Sequence, residues 1–407
     1  MRIVVQKFGG TSVSTPEQRD AAVGHILEAI GQGFRPAVVV SAMGRAGDPY
    51  ATDTLLRLPE TAGLPASPRE QDLIASCGEI ISSVMMVNTL RGRGLEACAF
   101  TGGQAGIFTD HVHTGATITK FNPTRILQAL EDGKVAVVAG FQGITEDGEI
   151  TTLGRGGSDT TAAALGVALR AEVVEIYTDV EGVKTADPRI VPGAKTIEQI
   201  TYHEISQMAH EGAKVVHPAA VEIAMARSIP LRVRSTFSQS MGTLITAVPY
   251  DDEVWPSLHA AKVITGVTQM PGMAQIRLDV PPDGAGVDPL RIFSALAQTG
   301  ISVDLINVSP ERISFIVKED LAERARTVLA EMDLAISLRR GCAKVSVVGT
   351  GMRGVPGVMA NVVKGLAEAG VRILQTSDSH LTISCLLDQA DMEKAVRALH
   401  EQFGLGD

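Results

Sequence analysis

The chain has few aromatic residues, few cysteines and no long apolar run. Phe, Tyr and Trp make up 4% of its 407 residues, so its cores must consist of aliphatic side chains. The 4 cysteines form no CxxC pair, which argues against a zinc site or a redox pair and predicts reduced thiols. No apolar run approaches the about 18 residues of a membrane span, and the N-terminus lacks a signal-peptide pattern. We therefore expect a cytoplasmic protein that has no membrane partner.

Positive charge is also in short supply. The chain has 36 Lys and Arg residues against 46 Asp and Glu residues, which gives a net charge of −10 at pH 7. A negative field repels nucleic-acid backbones and anionic membrane surfaces, so nucleic acid is not an expected partner. If the substrates are anions, a few lysines or arginines must attract them locally.

Glycine, in contrast, is abundant and clustered. The 41 glycines among 407 residues exceed the usual share of about 7%. At roughly 150 residues per domain, this length allows two or three domains. The hydrophobic share of 45% and the charged share of 20% are typical of folded α/β proteins.

Residues 1–247 alternate short β-branched runs with stretches of helical periodicity. Continuous apolar runs separated by helices indicate buried parallel strands, so we predict a layered, mostly parallel α/β sheet. The predicted strands include 2–5, 37–40, 135–139, 173–177 and 231–233. The predicted helices include 17–31, 69–93, 123–133, 160–170 and 218–227.

The last third of the chain contains an internal repeat. The pattern lapses over 248–262, which we interpret as a linker. Beyond it, a shift of 70 residues aligns Leu296 with Leu366, Gly300 with Gly370 and Ile313-Ser314 with Ile383-Ser384. Both copies show helix, Gly, strand, strand and helix in that order, which predicts two α+β modules at 263–340 and 341–407.

Two glycine clusters suit anion binding. In the first, KFGGTS at 7–12, the glycines leave backbone N–H groups accessible and Lys7 adds a positive charge. It is neither a Walker loop nor GxGxxG, and Gly9-Gly10 alone is more typical of a plain turn. The second, LGRGGSDTT at 153–161, joins a predicted strand to a helix. An N-cap explains Ser158 or Asp159, but not Arg155 between glycines, whose guanidinium is suited to a carboxylate.

Further motifs follow predicted strands. SAMG at 41–44 ends the second strand, and TDVEGVKTADPR at 178–189 begins where a later strand ends, the edge at which α/β sheets bind ligands. EGAK at 211–214 adds a cation. Gly78-Glu79 lies within an apolar helix, where a lone Glu is usually a solvated surface residue but, if buried, would suit an amine.

In this order, followed by a duplicated module, these motifs closely resemble the aspartate kinases of the amino acid kinase superfamily, which carry tandem ACT domains. The resemblance covers essentially the whole chain, and the segment 45–53 is similar to the diaminopimelate-regulated branch. It implies an amino acid kinase fold over 1–247, followed by two ferredoxin-like ACT domains. It also implies Mg²⁺ and the reaction of ATP with L-aspartate to give ADP and 4-phospho-L-aspartate, which begins lysine, threonine and methionine biosynthesis.

The resemblance also implies roles for individual residues. Lys7 and Asp159 would be catalytic, with Asp159 orienting Lys7 or a metal-bound water. L-aspartate would be held by Thr52, Glu79, Arg155 and Ser158. Phosphate or nucleotide contacts are expected at Lys7, Phe8, Gly9, Gly10, Ser41, Thr178, Asp179, Lys184, Asp187, Arg189 and Lys214. No dedicated metal-ligand set is expected.

Feedback regulation is a further implication. Amino-acid effectors of ACT domains bind between paired modules, and we expect diaminopimelate first, then lysine or threonine. The contacts would be Asp304, Asn307, Val355, Pro356, Gln375 and Ser379. ACT modules also pair through their sheets, so a homodimer or larger homo-oligomer is expected. Glutamate 5-kinase, acetylglutamate kinase and a non-catalytic amino-acid sensor remain competing interpretations.

Overall fold

The computed structural model describes residues 1–213, 215–247, 263–280, 288–332, 335–350, 352 and 355–406. Lys214 and the predicted linker 248–262 lie outside the described residues. The chain forms two compact units. The first comprises 1–183, 196–209 and 214–251, and the second comprises 184–195, 210–213 and 252–407.

The first unit consists of twelve strands and nine helices among its described residues. The strands are β1 (Ile3–Phe8), β2 (Arg35–Val40), β3 (Ala97–Phe100), β4 (Ile107–Thr109), β5 (Ile118–Phe121), β6 (Val135–Ala139), β7 (Gln142–Ile144), β8 (Ile150–Thr152), β9 (Val173–Thr178), β10 (Gln199–Thr201), β11 (Leu231–Ser235) and β12 (Thr243–Thr246). The helices are α1 (Gly10–Val13), α2 (Pro16–Gly31), α3 (Thr52–Arg57), α4 (Pro68–Gly92), α5 (Gly102–Ala105), α6 (Thr124–Glu131), α7 (Gly157–Leu169), α8 (Tyr202–His210) and α9 (Pro218–Met225). A 3₁₀ turn spans Leu58–Ala62.

Eight strands form the main sheet, in the order β10-β12-β11-β9-β1-β2-β6-β3. The five strands named from the sequence are the contiguous stretch from β11 to β6, and they pair in parallel. Only β12 and its neighbour β10 run opposite to them. The predicted mostly parallel α/β sheet is therefore confirmed, and β1, whose residues are almost all buried, lies near its middle.

A second, smaller sheet was not predicted from the sequence. It has the order β5-β4-β7-β8. Its strands have three or four residues, too few to show a reliable hydrophobic period. The sheet matters because β8 leads directly into the glycine-rich turn that begins α7.

Capping side chains explain where α2 begins, and steric fit explains where α7 begins. The Thr15 hydroxyl accepts a hydrogen bond from Gln18 N, and the Gln18 side chain bonds back to Thr15 N, which is a complete capping box. α7 begins at Gly157, three residues before the predicted start, because Gly156 adopts a left-handed conformation with φ +71°. A Cβ at Gly156 would stand 2.1 Å from the His217 ring.

Helix α4 is the longest helix that the structure describes. By length and composition alone its 25 residues would suffice to cross a membrane. It packs, however, against β3, β6 and β8, and its buried residues include Asp72 and Glu79. This is the pattern of a core helix with a polar face toward a site.

The second unit has six strands and four helices among its described residues. They are β13 (Gly266–Asp279), α10 (Pro289–Gln298), β14 (Asp304–Val308), β15 (Arg312–Lys318), α11 (Ala322–Ala330), β16 (Ile336–Val348), α12 (Val358–Glu368), β17 (Gln375–Asp378), β18 (Thr382–Asp388) and α13 (Met392–Gln402). Short 3₁₀ turns span Glu319–Leu321 and Gln389–Asp391. The second set of elements repeats the first at the 70-residue shift seen in the sequence.

The two modules share their long strands. All six strands form one sheet, β14-β15-β13-β16-β18-β17. The C-terminal half of β13 packs in the first module's core with Phe315, whereas Val267, at its N-terminal end, packs in the second module's core with Leu387. β16 divides in the same way. The structure therefore differs from the predicted contiguous modules 263–340 and 341–407, because each module needs half of both long strands.

The second unit also includes the segment 184–195, which precedes the repeat in the sequence. Ala186 and Ile190, within 184–195, pack in the second module's core. The Arg397 guanidinium donates to Ile190 O at 3.0 Å. The predicted domain boundary at 247 placed this segment in the first domain, because a short apolar segment does not indicate which core will bury it.

Candidate active site

A cavity of about 430 Å³ opens in the first unit, at the carboxyl ends of β1 and β2. β1, β2, α3 and α4 line it together with the turn between β8 and α7. Its lining residues are Lys7, Ser41, Thr52, Asp53, Leu56, Gln71, Asp72, Ala75, Glu79, Thr114, Phe141, Thr152, Gly154, Arg155, Gly156, Gly157, Ser158 and Asp159. The cavity thus brings together predicted site residues that are up to about 150 positions apart in the sequence.

Lys7 and Asp159 form an ion pair in the lining of this cavity. Lys7 Nζ lies 2.7 Å from Asp159 Oδ1, and both side chains are largely buried. Lys7 is the penultimate residue of β1, and Asp159 lies in the first turn of α7. An acidic side chain at a helix N-terminus is favoured by the helix dipole, so Asp159 is a stable anchor for the ammonium.

The glycines after β1 allow the backbone to pass close to the turn after β2. A Cβ at Gly10 would stand 2.5 Å from Ala42 O, so only glycine fits here. Gly44 N donates to Gly10 O at 3.1 Å, and Ser41 N donates to Phe8 O at 3.1 Å. These contacts hold Ser41 next to the glycine pair, and Ser41 and Lys7 both line the cavity.

Phe8 is placed differently from its prediction as a phosphate contact. Its ring is fully buried in the core and stacks on Tyr177, with ring centroids 4.7 Å apart. An aromatic residue facing the core cannot contact a phosphate with its side chain.

Thr178 and Asp179 follow Tyr177 at the end of β9 and do not line the cavity. Asp179 is exposed and pairs with Arg45 at 2.8 Å.

Glu79 is a buried carboxylate with one open oxygen. Its Oε1 accepts a hydrogen bond from Ala42 N at 3.1 Å. Its Oε2 is buried and has no hydrogen-bond partner among the described residues. Burial raises the pKa of Glu79 to about 8, although the bond from Ala42 opposes this. A buried, unsatisfied acceptor is costly, and a cationic donor in the cavity would satisfy it.

Gly78 explains how α4 comes close enough to present Glu79. A Cβ at this position would stand 2.7 Å from Ala42 Cβ and 3.0 Å from Tyr50 O. Without that side chain, the helix lies directly against the turn after β2. The Gly78-Glu79 pair therefore combines a steric and a chemical requirement, and the sequence alternative of a solvated surface Glu is excluded.

Arg155, Ser158 and Thr52 complete the predicted substrate residues in the cavity. Arg155 is exposed, and no carboxylate pairs with it in the described part of the chain. Ser158 is buried, and Thr52 begins α3. The cavity is therefore lined by the unpaired guanidinium of Arg155 and by the buried, unpaired Oε2 of Glu79, which are complementary to the carboxylate and ammonium of an amino acid.

Sequence reasoning missed several lining residues, among them Asp72. Asp72 is buried on α4, and it accepts hydrogen bonds from Thr152 Oγ1 and Thr114 N. Thr114 and Phe141, which also line the cavity, adopt left-handed backbone conformations. Asp72 stands seven residues before Glu79, two helical turns away on the same face. That spacing was the available signal in the sequence.

Three residues predicted at the nucleotide belong to the second unit. They are Lys184, Asp187 and Arg189 in the segment 184–195. Asp187 pairs with Arg189 at 2.7 Å and accepts from Gln269 Nε2 at 3.1 Å. Arg189 lowers the pKa of Asp187, mainly through its side-chain hydrogen bond. Lys214 lies outside the described residues. For these four residues the nucleotide contact stays a prediction.

Within the second unit, predicted effector residues from both modules lie near one another. Gln375 Nε2 donates to Leu305 O, and Gln375 Oε1 accepts from Gln275. Asp304 pairs with Lys344, a buried lysine that also pairs with Glu211 at 2.9 Å. Burial works against the charge of Lys344, but these two carboxylates outweigh it and raise its pKa.

The other predicted effector residues lie on exposed segments. Asn307 is an exposed residue of β14, and Val355 and Pro356 precede α12. Ser379 closes the turn between β17 and β18, where its hydroxyl accepts from Leu381 N and Thr382 N. Its role in the turn is therefore structural at least.

Comparisons with known proteins agree with this architecture. The Amino acid kinase family profile matches residues 2–235, and two ACT domain profiles match 289–332 and 337–401. The chain is 49% identical to Aspartokinase 1 of Bacillus subtilis over 405 residues, covering 100% of both chains. This chain belongs to the aspartokinase family.

Solved structures support the same assignment for this aspartokinase. E. coli aspartokinase III in complex with aspartate and ADP matches with a TM-score of 0.77 and 27% identity, over 98% of this chain and 99% of that chain. The same enzyme in complex with lysine and aspartate matches with a TM-score of 0.76 and the same identity and coverage.

The predicted activity is confirmed. The chain is an ATP-dependent aspartate kinase that transfers the γ-phosphate to the β-carboxylate of L-aspartate, the first step of lysine, threonine and methionine biosynthesis. Its ACT domains mark it as an allosterically regulated enzyme.

Proposed function

We propose that the cavity beside Lys7 is the phosphotransfer site of this aspartate kinase and that it holds L-aspartate between Glu79 and Arg155. The observation that carries the proposal is the open Glu79 Oε2, buried in the same cavity as the unpaired Arg155. The ammonium of aspartate satisfies Glu79, and a carboxylate meets Arg155. Thr52 and Ser158 add hydroxyl groups on either side.

The reaction needs no general base. The attacking β-carboxylate has a reference pKa of about 3.9 and is ionised at neutral pH. Catalysis then consists of aligning two anions and neutralising the charge on the transferred phosphoryl oxygens. Lys7 supplies the positive charge that neutralises these oxygens, and Asp159 holds the Lys7 ammonium toward the cavity. Gly9 and Gly10 let backbone N–H groups approach the phosphate.

Mg²⁺ enters as the complex with ATP. The described residues hold no group of three or more His, Cys, Asp or Glu side chains that suits a metal ion. Mg²⁺ in kinase sites is usually held by substrate phosphates and one or two carboxylates, and Asp159 is such a carboxylate in the cavity. We assign nucleotide contacts in the first unit to Ser41, which follows β2, and to Thr178 and Asp179 at the end of β9. The contacts that the resemblance implies for Lys184, Asp187, Arg189 and Lys214 stay predictions.

These roles predict separate kinetic effects for Lys7 and Arg155. We expect Lys7→Ala to lower kcat by about 100-fold or more, because it removes transition-state charge stabilisation. Arg155→Ala should instead raise KM for aspartate by about tenfold or more, because it removes a charged hydrogen bond made by the substrate. ADP release measured against aspartate concentration gives both constants.

A matched control and a substrate panel complete the test. Arg93→Ala removes a surface arginine that pairs with Asp20 at 2.8 Å outside the cavity, and it should leave KM unchanged. ATP-dependent hydroxamate formation with aspartate, glutamate and acetylglutamate should show turnover with aspartate. Near-normal kcat in Lys7→Ala, or unchanged aspartate affinity in Arg155→Ala, would contradict the assigned roles.

We further propose that an aspartate-pathway amino acid binds the second unit where β14 and β17 meet, with diaminopimelate first and lysine or threonine next. The support is the contact between Gln375 and Leu305, which joins the two modules beside Asp304. We expect one of these amino acids to lower activity and to raise the melting temperature. If none of the three changes either quantity, the proposal is wrong.

We also propose a cytoplasmic homodimer or larger assembly formed through the second unit. Its edge strand β14 exposes about half of Ile306 and Val308, and α12 exposes Met359 and Val363. Unpaired strand edges with apolar side chains favour pairing with another chain. Sedimentation as a monomer at micromolar concentration would contradict this assembly.

A further inference from the structure

Asp72 is a buried residue that lines the substrate cavity but has no role in the proposed phosphotransfer mechanism. It lies in the second turn of α4, and its side chain is 1% exposed. Three groups surround it. Thr114 N donates to both carboxylate oxygens at 3.0 Å, Thr152 Oγ1 donates to Oδ1, and His113 Nδ1 lies 2.8 Å from Oδ2.

The backbone that Asp72 holds is strained. Thr114 has φ +66°, a left-handed conformation that a β-branched residue rarely adopts. It stands in the loop between β4 and β5, whose base is closed by Asp110, which accepts from Val112 N and Thr117 N at 3.2 Å. Asp72, which lies on α4, accepts the hydrogen bonds from Thr114 N and so holds the backbone of this loop in place.

This loop contacts the turn that carries Arg155. Thr114 O lies 3.3 Å from the position that a Cβ would take on Gly154. Asp72 also binds the hydroxyl of Thr152, three residues before Arg155 and the last residue of β8. The same carboxylate therefore restrains the Arg155 turn at two points.

Helix α4 connects this restraint to the other end of the substrate. Glu79 lies seven residues after Asp72, about 10.5 Å along the helix axis. Displacing the loop or the Arg155 turn would thus change the spacing between the group that meets the ammonium and the group that meets a carboxylate.

We propose that Asp72 is a positioning residue that holds Thr114 in its left-handed conformation and thereby sets the position of Arg155 relative to Glu79. The proposal rests on the proposed roles of Glu79 and Arg155. Asp72 does not touch the reacting atoms. Its effect reaches the substrate through the backbone of the loop and of the turn.

The test compares Asp72→Asn with and without relief of the strain at Thr114. Asp72→Asn replaces one acceptor oxygen by an NH2 donor, so the side chain can no longer accept from Thr114 N with both of its terminal atoms. We expect a rise in KM for aspartate of about tenfold, with kcat and KM for ATP within about threefold of the wild type. A general packing defect would not separate these constants.

Rescue distinguishes positioning from a general structural role. Glycine adopts positive φ without steric cost, so Thr114→Gly in the Asp72→Asn background should recover most of the lost aspartate affinity. Thr114→Val is the matched control, because it removes the hydroxyl but keeps the β-branched strain, and it should not rescue. The two single variants at Thr114 provide the baselines for this double-mutant cycle.

A third variant keeps the proposal testable if Asp72→Asn does not fold. Thr152→Val removes one donor to Asp72 with little change in shape, and it should raise KM for aspartate in the same direction by a smaller factor. Unchanged KM in every folded variant at positions 72 and 152, or equal rescue by Gly and Val, would overturn the proposal. Failure of the proposed function would be visible separately, as an unchanged KM in Arg155→Ala.

Discussion

Glu79 shows how one buried side chain links the fold to substrate binding and to pH. Burial raises the pKa of Glu79 to about 8. At neutral pH we therefore expect the Glu79 side chain to be protonated in most molecules of the free enzyme. An ammonium beside the open Oε2 favours the ionised form. Binding of aspartate near pH 7 should therefore release a proton from Glu79.

This linkage predicts a pH dependence of aspartate affinity. Between pH 6 and 8 the proton on Glu79 must leave before the ammonium binds well, so KM for aspartate should fall by up to about tenfold per pH unit as pH rises. Above pH 8 the carboxyl is already ionised and the fall should level off. Steady-state kinetics at saturating Mg·ATP, measured across this range, give the profile.

Glu79→Gln is the control for every other titrating group in the assay. It should raise KM for aspartate at pH 8 and flatten its pH dependence, because the amide cannot ionise. A wild-type KM that stays constant from pH 6 to 8 would show that Glu79 is not the group facing the ammonium.

Among the elements, α4 does most to shape the cavity. One face of this helix carries Asp72, Ala75 and Glu79, which line the site. Gly78 lets this face approach the turn after β2. The amphipathic pattern of α4 is thus interrupted by polar residues for a functional reason.

Substitution of Gly78 should therefore move the whole helix. The Cβ in Gly78→Ala would stand 2.7 Å from Ala42 Cβ and 3.0 Å from backbone Tyr50 O, which cannot move independently. We expect a loss of about 1–3 kcal/mol in the free energy of unfolding. KM for aspartate should rise, because Glu79 moves with the helix. Chemical denaturation and kinetics measure the two effects.

Gly24→Ala on α2 is the matched control for this prediction. A Cβ at Gly24 meets nothing within 4 Å, and the residue stands in the middle of a regular helix. It should gain about 0.5–1 kcal/mol through reduced backbone entropy of the unfolded chain. Equal stability of the Gly78→Ala and Gly24→Ala variants would contradict the steric argument.

At the scale of the whole molecule, the second unit is an interlocked pair of modules. The N-terminal half of β13 pairs with the C-terminal half of β16, and the C-terminal half of β13 pairs with the N-terminal half of β16. Each core therefore uses side chains from both strands. Neither module is complete as a contiguous piece of chain.

This interlocking predicts the folding of fragments. Residues 341–407 alone lack the strand that Val267 contributes to their core, so they should remain unfolded. Residues 263–407 retain all six strands and should fold, with a lower melting temperature because Ala186 and Ile190 are missing. Circular dichroism with thermal melting tests both fragments. A cooperative transition in 341–407 alone would contradict the shared-strand interpretation.

The sequence by itself determined the central strands of the main sheet, the repeat and many of the candidate site residues. Short apolar runs and glycine clusters are local signals, and the apolar runs were sufficient for the central strands β1, β2, β6, β9 and β11. The repeat was visible because both copies keep the same spacing. The resemblance carried by ordered motifs supplied the activity, which composition and periodicity alone left open.

Only the tertiary structure decided which residues meet and which carry an uncompensated charge. Asp72 looks like any acidic residue near the start of a helix, and its importance depends on Thr114, which is 42 positions away. Phe8 belongs to a glycine-rich motif, yet its ring lies in the core. Burial and pairing depend on chain segments far apart in sequence, so a local pattern names candidate side chains but not their surroundings.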